Sequence, residues 1–364
     1  MSLVLDNISH AVNGESFLSN IDLTLDGGSF NVLLGRTLAG KTTLMRLIAG
    51  LEKPTRGKVV LHGQDMTNVE VQKRNVSMVY QQFVNYPNLT VRDNIASPLR
   101  IAKVKESEIR RRVQETAAIL QIEPFLERYP LELSGGQQQR TSMARALVKD
   151  ASIILFDEPL VNLDYKLREE LRAELRDLFR EREAIAIYAT TEPHEAMALG
   201  GVTTLLHEGR VIQNGPATQI YRHPKTMEAA TLYSEPAINL IKGRLTNKEV
   251  SFENNARFAI DEELAGLPKG EYVFGVLPNH IGLAPNHDDD LELSMTVELA
   301  EISGSETYMH VHNEHFALIV QMNGVHEYHT EVPIKVYLPT HKLYVFDLDG
   351  KTVQVPSALR KGAA

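Results

Sequence analysis

Apolar residues in the first two thirds of the chain follow two alternating patterns. Short, continuous apolar runs at residues 32–34, 152–157 and 184–190 predict buried strands. A helix is expected from Thr42 to Ala49, ended by Gly50. Between residues 163 and 178, charged residues separate leucines at helical spacing, which predicts a helix with one solvated face. We therefore expect an α/β domain, with a helical insert over about residues 83–150.

The pattern changes after about residue 240. Short alternating runs such as Tyr272-Val-Phe and Phe316-Ala-Leu-Ile-Val are separated by turn residues, which predicts a small β-barrel or sandwich. Pro224 and Pro236 predict a hinge in front of this region. We therefore expect two domains, residues 1–235 and 236–364.

Composition narrows the possible partners. The chain has 364 residues and a formal net charge of −9, which disfavours a nucleic-acid partner because phosphate backbones bind basic surfaces. The chain has no cysteine, so it has no disulfide, thiol nucleophile or thiolate metal site. No apolar run approaches the ~18–20 residues of a membrane span, and no signal peptide is expected at the N-terminus. If the protein works at a membrane, another chain must cross it.

Residues 35–42 fit the phosphate-loop pattern G-x-x-x-x-G-K-[ST]. Glycines in such a loop let successive backbone N–H groups point at one anion, and the following helix adds its positive end. We expect Lys41 to reach the β- and γ-phosphates and the Thr42 hydroxyl to bind Mg²⁺. A chance Gly-Lys-Thr in a turn is the alternative, which the motifs below disfavour. The expected phosphate-binding residues are Gly35, Arg36, Thr37, Leu38, Ala39, Gly40, Lys41, Thr42 and Thr43.

Two further motifs follow in order: Leu-Ser-Gly-Gly-Gln at residues 133–137, and an apolar run that ends in Asp157 and Glu158. Taken alone, the first is an ordinary helix cap, since serine is a good N-cap. Together the three motifs resemble the ATP-binding cassette (ABC) family, and the resemblance covers nearly the whole chain. It implies an α/β P-loop ATPase cassette with a helical subdomain, followed by a C-terminal all-β, oligonucleotide-fold-like regulatory domain.

The resemblance also implies roles for individual residues. Glu158 would polarise the attacking water as general base, and Gln81 would touch magnesium and sense the γ-phosphate. The expected magnesium ligands are Thr42, Gln81 and, through water, Asp157. In the family the signature stretch contacts ATP bound to a second subunit, which implies a dimer that holds two ATP molecules; here it is Ser134, Gly135, Gly136 and Gln137. Asp164 matches the loop that signals across such a dimer.

The chain departs from the family pattern at several positions. Where the family carries a switch histidine that bonds the γ-phosphate, this chain has Thr191, which lacks the reach of an imidazole; His194 is an alternative three residues later. Val12 stands where an aromatic residue usually stacks on adenine, and Phe17 is expected to compensate. Val161 replaces a small polar residue in the signalling loop. Leu38 replaces a small residue in the phosphate loop.

Finer resemblances point to importers. The insert that starts at residue 83 is similar to those of maltose-type importer ATPases, as is the Gly-Ser-Glu-Thr-Tyr stretch at 304–308. The stretch at 274–281 resembles the Gly-Ile-Arg-Pro-Glu signature of that group, but Leu277 replaces the arginine. Thr-Leu-Ala-Gly-Lys-Thr and Thr-Thr-Glu-Pro resemble one half of a glycerol importer, which is expected to carry two different ATPases. The implied assembly is peripheral at the cytoplasmic face of the inner membrane. It contains a second ATPase, two membrane permeases and, indirectly, an extracytoplasmic solute-binding protein.

Alternatives remain at this point. An importer ATPase for another carbohydrate or for glycerol phosphate is one of them. A regulatory half that binds ATP but hydrolyses it weakly is another, favoured by Thr191 and disfavoured by Glu158. An ABC ATPase of repair or translation would show a long coiled-coil insert or two cassettes, and the sequence has neither. The H-x-H-x-x-H pattern of His310, His312 and His315 is better explained by solvated strand histidines than by a metal site.

Overall fold

The computed structural model describes residues 2–28, 30–82, 84–161, 163, 165–180, 182–356 and 359. The chain divides into two compact units, Met1–Ala217 and Thr218–Ala364. This division lies earlier in the chain than the expected boundary between residues 235 and 236. The two prolines of the expected hinge, Pro224 and Pro236, accordingly fall inside the second unit.

The first unit alternates strands and helices. Its strands are β1 (Ser2–Val12), β2 (Glu15–Asp26), β3 (Phe30–Leu34), β4 (Arg56–Leu61), β5 (Gln64–Asp65), β6 (Val76–Val79), β7 (Ile153–Asp157), β8 (Ile185–Thr190), β9 (Val202–His207) and β10 (Arg210–Pro216). Its helices are α1 (Lys41–Ala49), α2 (Val91–Ile101), α3 (Glu106–Ile119), α4 (Gly135–Leu147), α5 (Tyr165–Arg180) and α6 (Pro193–Leu199), and α7 (Ala217–Arg222) spans the division between the units.

The central sheet has the strand order β10-β9-β3-β8-β7-β6, and all of its strands except β10 run parallel. Every residue of β3, β7 and β8 is buried, which explains why these strands are continuous apolar runs in the sequence. Because the strands are parallel, their carboxyl ends meet at one edge of the sheet. In α/β proteins of this kind ligands bind at that edge.

Helix α1 is anchored at both of its ends. One cluster of buried residues joins α1 to the central sheet and to the antiparallel sheet β2-β1-β4-β5. Gly50 ends the helix with a left-handed φ of 80°, as the sequence predicted. The buried guanidinium of Arg74 donates to the carbonyls of Leu47 and Ile48 at 3.0 and 2.7 Å, which places a positive charge at the negative end of the helix. The start of α1, and the loop before it, are therefore held firmly.

The insert between β6 and β7 is helical, as expected. The Thr90 hydroxyl caps α2 by accepting from the backbone of Asp93 at 3.1 Å. The fully buried Asn94 fixes the preceding Pro-containing loop: its amide donates to three carbonyls of that loop, and its oxygen accepts from Tyr86 N at 2.8 Å. No helix among the described residues is long and apolar enough to cross a membrane.

The second unit is β-rich, which confirms the prediction. Its strands are β11 (Asn239–Leu245), β12 (Glu249–Phe252), β13 (Arg257–Ala259), β14 (Gly270–Val276), β15 (Leu291–Ser303), β16 (Glu306–His312), β17 (Ala317–Asn323), β18 (Pro333–Leu338), β19 (Tyr344–Phe346) and β20 (Thr352–Gln354), with helices α8 (Met227–Tyr233) and α9 (Glu262–Ala265). They form two antiparallel sheets, β13-β12-β11-β14-β19-β20 and β17-β16-β15-β18, around one apolar core.

One side chain ties these two sheets together. The Asn239 amide of β11 donates to Ile319 O at 2.8 Å and accepts from Ile319 N at 2.7 Å, so it pairs with β17 much as another strand would. His310 and His312 lie on β16 and are half-buried. Among the described residues, no group of three His, Cys, Asp or Glu side chains is arranged to hold a metal ion.

Candidate nucleotide-binding and catalytic site

The phosphate loop connects β3 to α1 and needs glycine at both ends for different reasons. At Gly35 a Cβ would lie only 2.4 Å from Leu206 O, so no side chain fits. At Gly40 the backbone is left-handed, with a φ of 98°, which strains any other residue. Leu38 is also left-handed, with a φ of 68°, and its side chain is 95% exposed at the tip of the loop. Arg36 and Thr37 are likewise exposed, whereas Ala39 is buried and Thr43 half-buried.

Lys41 lies under the loop, with only 5% of its surface exposed. Its Nζ donates to Gly35 O at 2.7 Å and to Arg36 O at 3.2 Å, and it lies 3.3 Å from Glu158 Oε1. Burial lowers the pKa of Lys41, although the Glu158 carboxylate acts to raise it. The ammonium group is therefore desolvated, close to the backbone of the loop, and able to exchange these partners for a bound anion.

Thr42 and Asp157 bring two oxygen ligands together. The Thr42 hydroxyl donates to Asp157 Oδ1 at 3.1 Å across the gap between α1 and β7. Asp157 is 6% exposed, and burial raises the pKa of its carboxyl group, partly opposed by the Thr42 hydrogen bond. Hydroxyl and carboxylate oxygens are the donors that Mg²⁺ prefers. This pair therefore fits a magnesium ion by chemistry and by position.

Glu158 follows β7 directly and has an unusual backbone. Its φ is 48°, in the left-handed region that non-glycine residues rarely occupy. The conformation is held by a hydrogen bond from Glu158 N to Ala189 O at 3.1 Å. Such strain at the end of a core strand costs on the order of 1–3 kcal/mol and is concentrated at functional sites. It turns the Glu158 side chain towards Lys41 and the phosphate loop.

Two further predicted residues lie at the same edge of the sheet. Gln81 is exposed, two residues beyond β6, and Thr191 is half-buried, directly beyond β8. Because β6 pairs with β7 and β8 lies between β7 and β3, both segments flank the strand ends that carry Glu158 and the phosphate loop. His194, the sequence alternative to Thr191, is exposed on the first turn of α6.

Phe17 lies beside the phosphate loop, in β2. A Cβ on Gly40 would come 3.2 Å from Phe17 O, and Gly209 N, close to the same carbonyl, donates to Ala39 O at 3.1 Å. Phe17 is 40% exposed, and an aromatic ring at such a position is suited to stack on a base. Val12 is exposed at the end of β1.

The signature stretch forms the N-terminus of α4. The Ser134 hydroxyl accepts from Gln137 N at 3.4 Å, and Gln137 Oε1 accepts from Ser134 N at 3.0 Å, which is a capping box. Gly135 has open space around its Cα, whereas a Cβ on Gly136 would lie 3.0 Å from Leu167. The exposed helix end can therefore receive an anion at its positive pole. Asp164, the predicted signalling residue, lies outside the described residues; Val161 before it is 39% exposed.

Sequence reasoning missed one group of contacts next to Thr191. The buried Glu195 accepts hydrogen bonds from Thr190 Oγ1 at 2.6 Å and from Tyr188 OH at 3.2 Å. Arg168 of α5 contacts both carboxylate oxygens of Glu192, at 2.8 and 3.0 Å. The only signal in the sequence was a charged residue, Glu195, placed where the amphipathic pattern of α6 requires a buried one.

A glycine-bounded loop that opens a buried helix, with a lysine beneath it and a hydroxyl–carboxylate pair beside it, defines a P-loop nucleotide-binding protein. Comparisons with known proteins agree. The family model described as ABC transporter matches residues 18–161. The sn-glycerol-3-phosphate import ATP-binding protein of Brucella abortus biovar 1 is 34% identical over 356 residues, 96% of this chain and 99% of that protein. Its namesake in Escherichia coli O157:H7 is 35% identical over 339 residues, 91% and 93% of the two chains.

Solved structures show the same cassette. A dimeric post-hydrolysis state of an ATP-binding cassette bound to ADP and phosphate is 30% identical, with a TM-score of 0.54, and covers 59% of this chain and 98% of its own. The dimeric structure of a bacterial ABC transporter cassette matches with the same values. The chain therefore belongs to the ABC transporter family, and it is an ATPase whose hydrolysis of ATP drives transport. The predicted fold class, a cassette followed by a β-rich C-terminal domain, is confirmed.

Proposed function

We propose that this chain is the ATP-hydrolysing subunit of an importer for a glycerol-type solute, peripheral at the cytoplasmic face of the membrane. The carrying observation is that similarity to importer ATP-binding proteins extends over 96% of the chain, through both the cassette and the β-rich unit. The membrane passage is supplied by two permease subunits, with an extracytoplasmic solute-binding protein upstream of them.

In this proposal each residue at the strand edge has one task. Thr42 and Asp157 hold Mg²⁺, with Gln81 as a further ligand, because their oxygens are Mg²⁺ donors and the first two lie within 3.1 Å of each other. The ion, when bound, neutralises charge on the phosphate oxygens. Lys41 exchanges its loop carbonyls for the β- and γ-phosphates.

Glu158 is the proposed general base. It orients a water molecule for attack on the γ-phosphorus and accepts its proton. In the structure Glu158 Oε1 lies 3.3 Å from Lys41 Nζ. When the lysine turns to the phosphates this ion pair weakens, and the carboxylate becomes free to accept. ATP binding would thus activate the base.

We further propose that the second ATPase of the assembly is a different chain. Thr191 cannot supply the imidazole contact to the γ-phosphate, and a homodimer would lack that contact at both sites. A partner that carries the histidine leaves one site complete. That site would use Ser134, Gly135, Gly136 and Gln137 of this chain, whose helix end is exposed and able to bind an anion.

Two solutes are supported by different observations. Two stretches of the chain, Thr-Leu-Ala-Gly-Lys-Thr and Thr-Thr-Glu-Pro, resemble a glycerol importer ATPase. Glycerol is therefore the first solute that we propose. The curated relatives quoted above are named for import of sn-glycerol 3-phosphate, which makes that ester the alternative.

The test is uptake by the complete transporter reconstituted in vesicles loaded with Mg²⁺-ATP. Labelled glycerol, glycerol 3-phosphate and maltose are compared, and native mass spectrometry counts each ATPase chain. We expect ATP-dependent uptake of glycerol and one copy of this chain per complex. Uptake of glycerol 3-phosphate alone would make that ester the solute in place of glycerol. Uptake of neither glycerol nor glycerol 3-phosphate would overturn the proposal of a glycerol-type solute. Two copies of this chain per complex would overturn the proposal of two different ATPase chains. Lys41→Ala is the inactive control, and Lys73→Ala, an exposed lysine paired with Glu70 at 2.9 Å, is the matched active one.

A further inference from the structure

A group of hydrogen-bonded side chains surrounds the segment that carries Thr191. We call this group the switch clamp: Arg168, Tyr188, Thr190, Glu192 and Glu195. None of these residues has a part in the proposed chemistry above. Four of them lie within the eight residues 188–195, and Arg168 joins them from α5.

Glu195 is the buried centre of the clamp. Only 3% of its surface is exposed, although it carries a carboxyl group. Both of its hydrogen bonds, from Thr190 Oγ1 and Tyr188 OH, end on the same oxygen, Oε2. Tyr188 is itself fixed by ring contacts with Phe30 of β3 and Phe156 of β7, each with ring centroids 6.2 Å apart. Glu195 is thereby held against the strands that carry the phosphate loop and Glu158.

Thr190, the last residue of β8, links Glu195 to the end of this strand. Its hydroxyl donates to Glu195 and accepts from Glu192 N at 3.0 Å, which closes the turn on both sides of Thr191. Its carbonyl accepts from Gly35 N, the first residue of the phosphate loop, at 3.3 Å. One residue thus connects the phosphate loop, the turn and Glu195.

The other end of the turn is held from the side. One terminal nitrogen of Arg168, Nη1, donates to both oxygens of the Glu192 carboxylate at 2.8 and 3.0 Å, and the other, Nη2, donates to Leu163 O at 3.3 Å. Leu163 belongs to the loop that follows Glu158, so Arg168 joins this loop to the turn at Thr191. The turn is therefore fixed on both sides.

We propose that Glu195 and Thr190 are positioning residues for ATP hydrolysis, which hold the turn at Thr191 in register with the phosphate loop and Glu158. The reason lies in what the turn is bonded to. Thr190 O accepts from Gly35 N of the phosphate loop, and Arg168 joins the turn to the loop that follows Glu158, so a shift of the turn would displace both. The backbone turn must then be placed accurately, and a displacement of about 1 Å can cost on the order of 100-fold in rate. This inference rests on the proposed hydrolysis at this chain's own site.

The test compares paired substitutions in the complete transporter. Thr190→Val and Glu195→Ala remove the hydrogen bond, whereas Thr190→Ser and Glu195→Gln keep an oxygen at the same place. Thr203→Val is the matched control, because Thr203 is fully buried in β9 of the same sheet and its hydroxyl has no hydrogen-bond partner in the described part of the chain. Each variant is measured for kcat, ATP KM, ATP affinity without hydrolysis, and Tm.

We expect Thr190→Val and Glu195→Ala to lower kcat about 10-fold or more while ATP affinity changes less than about 3-fold, and Thr190→Ser, Glu195→Gln and Thr203→Val to stay near wild type. If these variants lower Tm and ATP affinity together, the residues have a purely structural role and the proposal is overturned. An unchanged kcat in Thr190→Val would also overturn it. Thr190→Val keeps side-chain volume, so it decides the matter even if Glu195→Ala does not fold.

Glu158→Gln separates the two levels of inference. If it stops hydrolysis and the clamp variants do not slow it, only the clamp proposal fails. If Glu158→Gln has no effect on ATPase activity, the proposed role of Glu158 fails, and the clamp proposal fails with it if the clamp variants also leave kcat unchanged.

Discussion

Lys41 offers the sharpest test of the nucleotide site, and we expect Lys41→Ala to weaken ATP binding strongly without unfolding the protein. The ammonium group has three N–H donors, and in the structure it contacts Gly35 O, Arg36 O and Glu158. All three contacts are made within the phosphate loop or to the residue directly beside it in space. The lysine can therefore turn its donors towards phosphates without a rearrangement of the fold.

The magnitude follows from the contacts exchanged. A hydrogen bond to a charged group contributes about 1.5–3 kcal/mol, and a phosphate contact from a buried ammonium belongs at the upper end. A loss of about 2–3 kcal/mol raises Kd roughly 30- to 150-fold, since about 1.4 kcal/mol is tenfold. Stability without nucleotide should change much less. Removing Lys41 leaves two carbonyls and Glu158 without a partner, but it also removes a desolvated charge whose pKa burial has lowered.

The assay is calorimetric titration of the purified full-length chain with Mg²⁺-ATP, with Tm measured in the absence of nucleotide. Lys73→Ala is the control for removal of a lysine, because its side chain is 72% exposed and forms an ion pair with the similarly exposed Glu70. We expect its affinity and Tm to match the wild type, since an exposed ion pair contributes about 0–1 kcal/mol.

Unchanged ATP affinity in Lys41→Ala would refute the assignment of the phosphate loop. A fall in Tm of more than about 5 °C would refute the energy balance instead, because it would mean that Lys41 stabilises the fold by more than about 1 kcal/mol.

Three more outcomes are expected. Glu158→Gln should slow ATP hydrolysis by the complete transporter on the order of 10²–10⁴-fold while ATP still binds, as measured by phosphate release and titration. Asp157→Asn should raise the Tm of the protein without nucleotide at neutral pH. Burial raises the pKa of the Asp157 carboxyl group in the folded state. This group therefore favours folding below its unfolded pKa of about 3.9 and loses that contribution as pH rises through the folded pKa. Ser134→Ala should reduce solute uptake in vesicles more than Thr191→Ala, because in the proposed mixed pair Ser134 would serve the site at which the partner supplies a histidine.

Each expectation has a result that contradicts it. Normal turnover in Glu158→Gln means that another group is the base or that the site is silent. A stability gain in Asp157→Asn that persists below about pH 3 cannot come from ionisation of this carboxyl group. If Thr191→Ala abolishes uptake and Ser134→Ala does not, the active site is the one built on this chain's phosphate loop.

The parts of the site that local sequence determines could be predicted. The phosphate loop, its helix and the capped helix at Ser134 each depend on residues within about ten positions of one another. The patterns therefore gave α1 and its end at Gly50, and α4 and its start after Ser134, to within one residue. The buried parallel strands were also recognisable, because strands covered on both faces must be apolar throughout.

Contacts between distant residues could not be predicted in this way. Arg74 reaches the end of α1 from 26 positions away, and Asn239 pairs with a strand edge 80 positions away. Their sequence neighbourhoods are those of ordinary surface residues. The expected boundary between residues 235 and 236 lies beyond the division at Ala217 for a similar reason, since Pro224 and Pro236 are turn signals whether the turn lies between two units or inside one.

The buried carboxyl group of Glu195 is another feature that depends on contacts between elements. Burying a carboxyl group is unfavourable unless hydrogen bonds compensate, and here two donors on β8, the strand before α6, do so. An apolar residue would fill the same space under α6 at a lower desolvation cost, so packing alone does not account for a glutamate. Placing the turn accurately does account for it, since hydrogen bonds fix direction and distance while apolar contacts tolerate sliding.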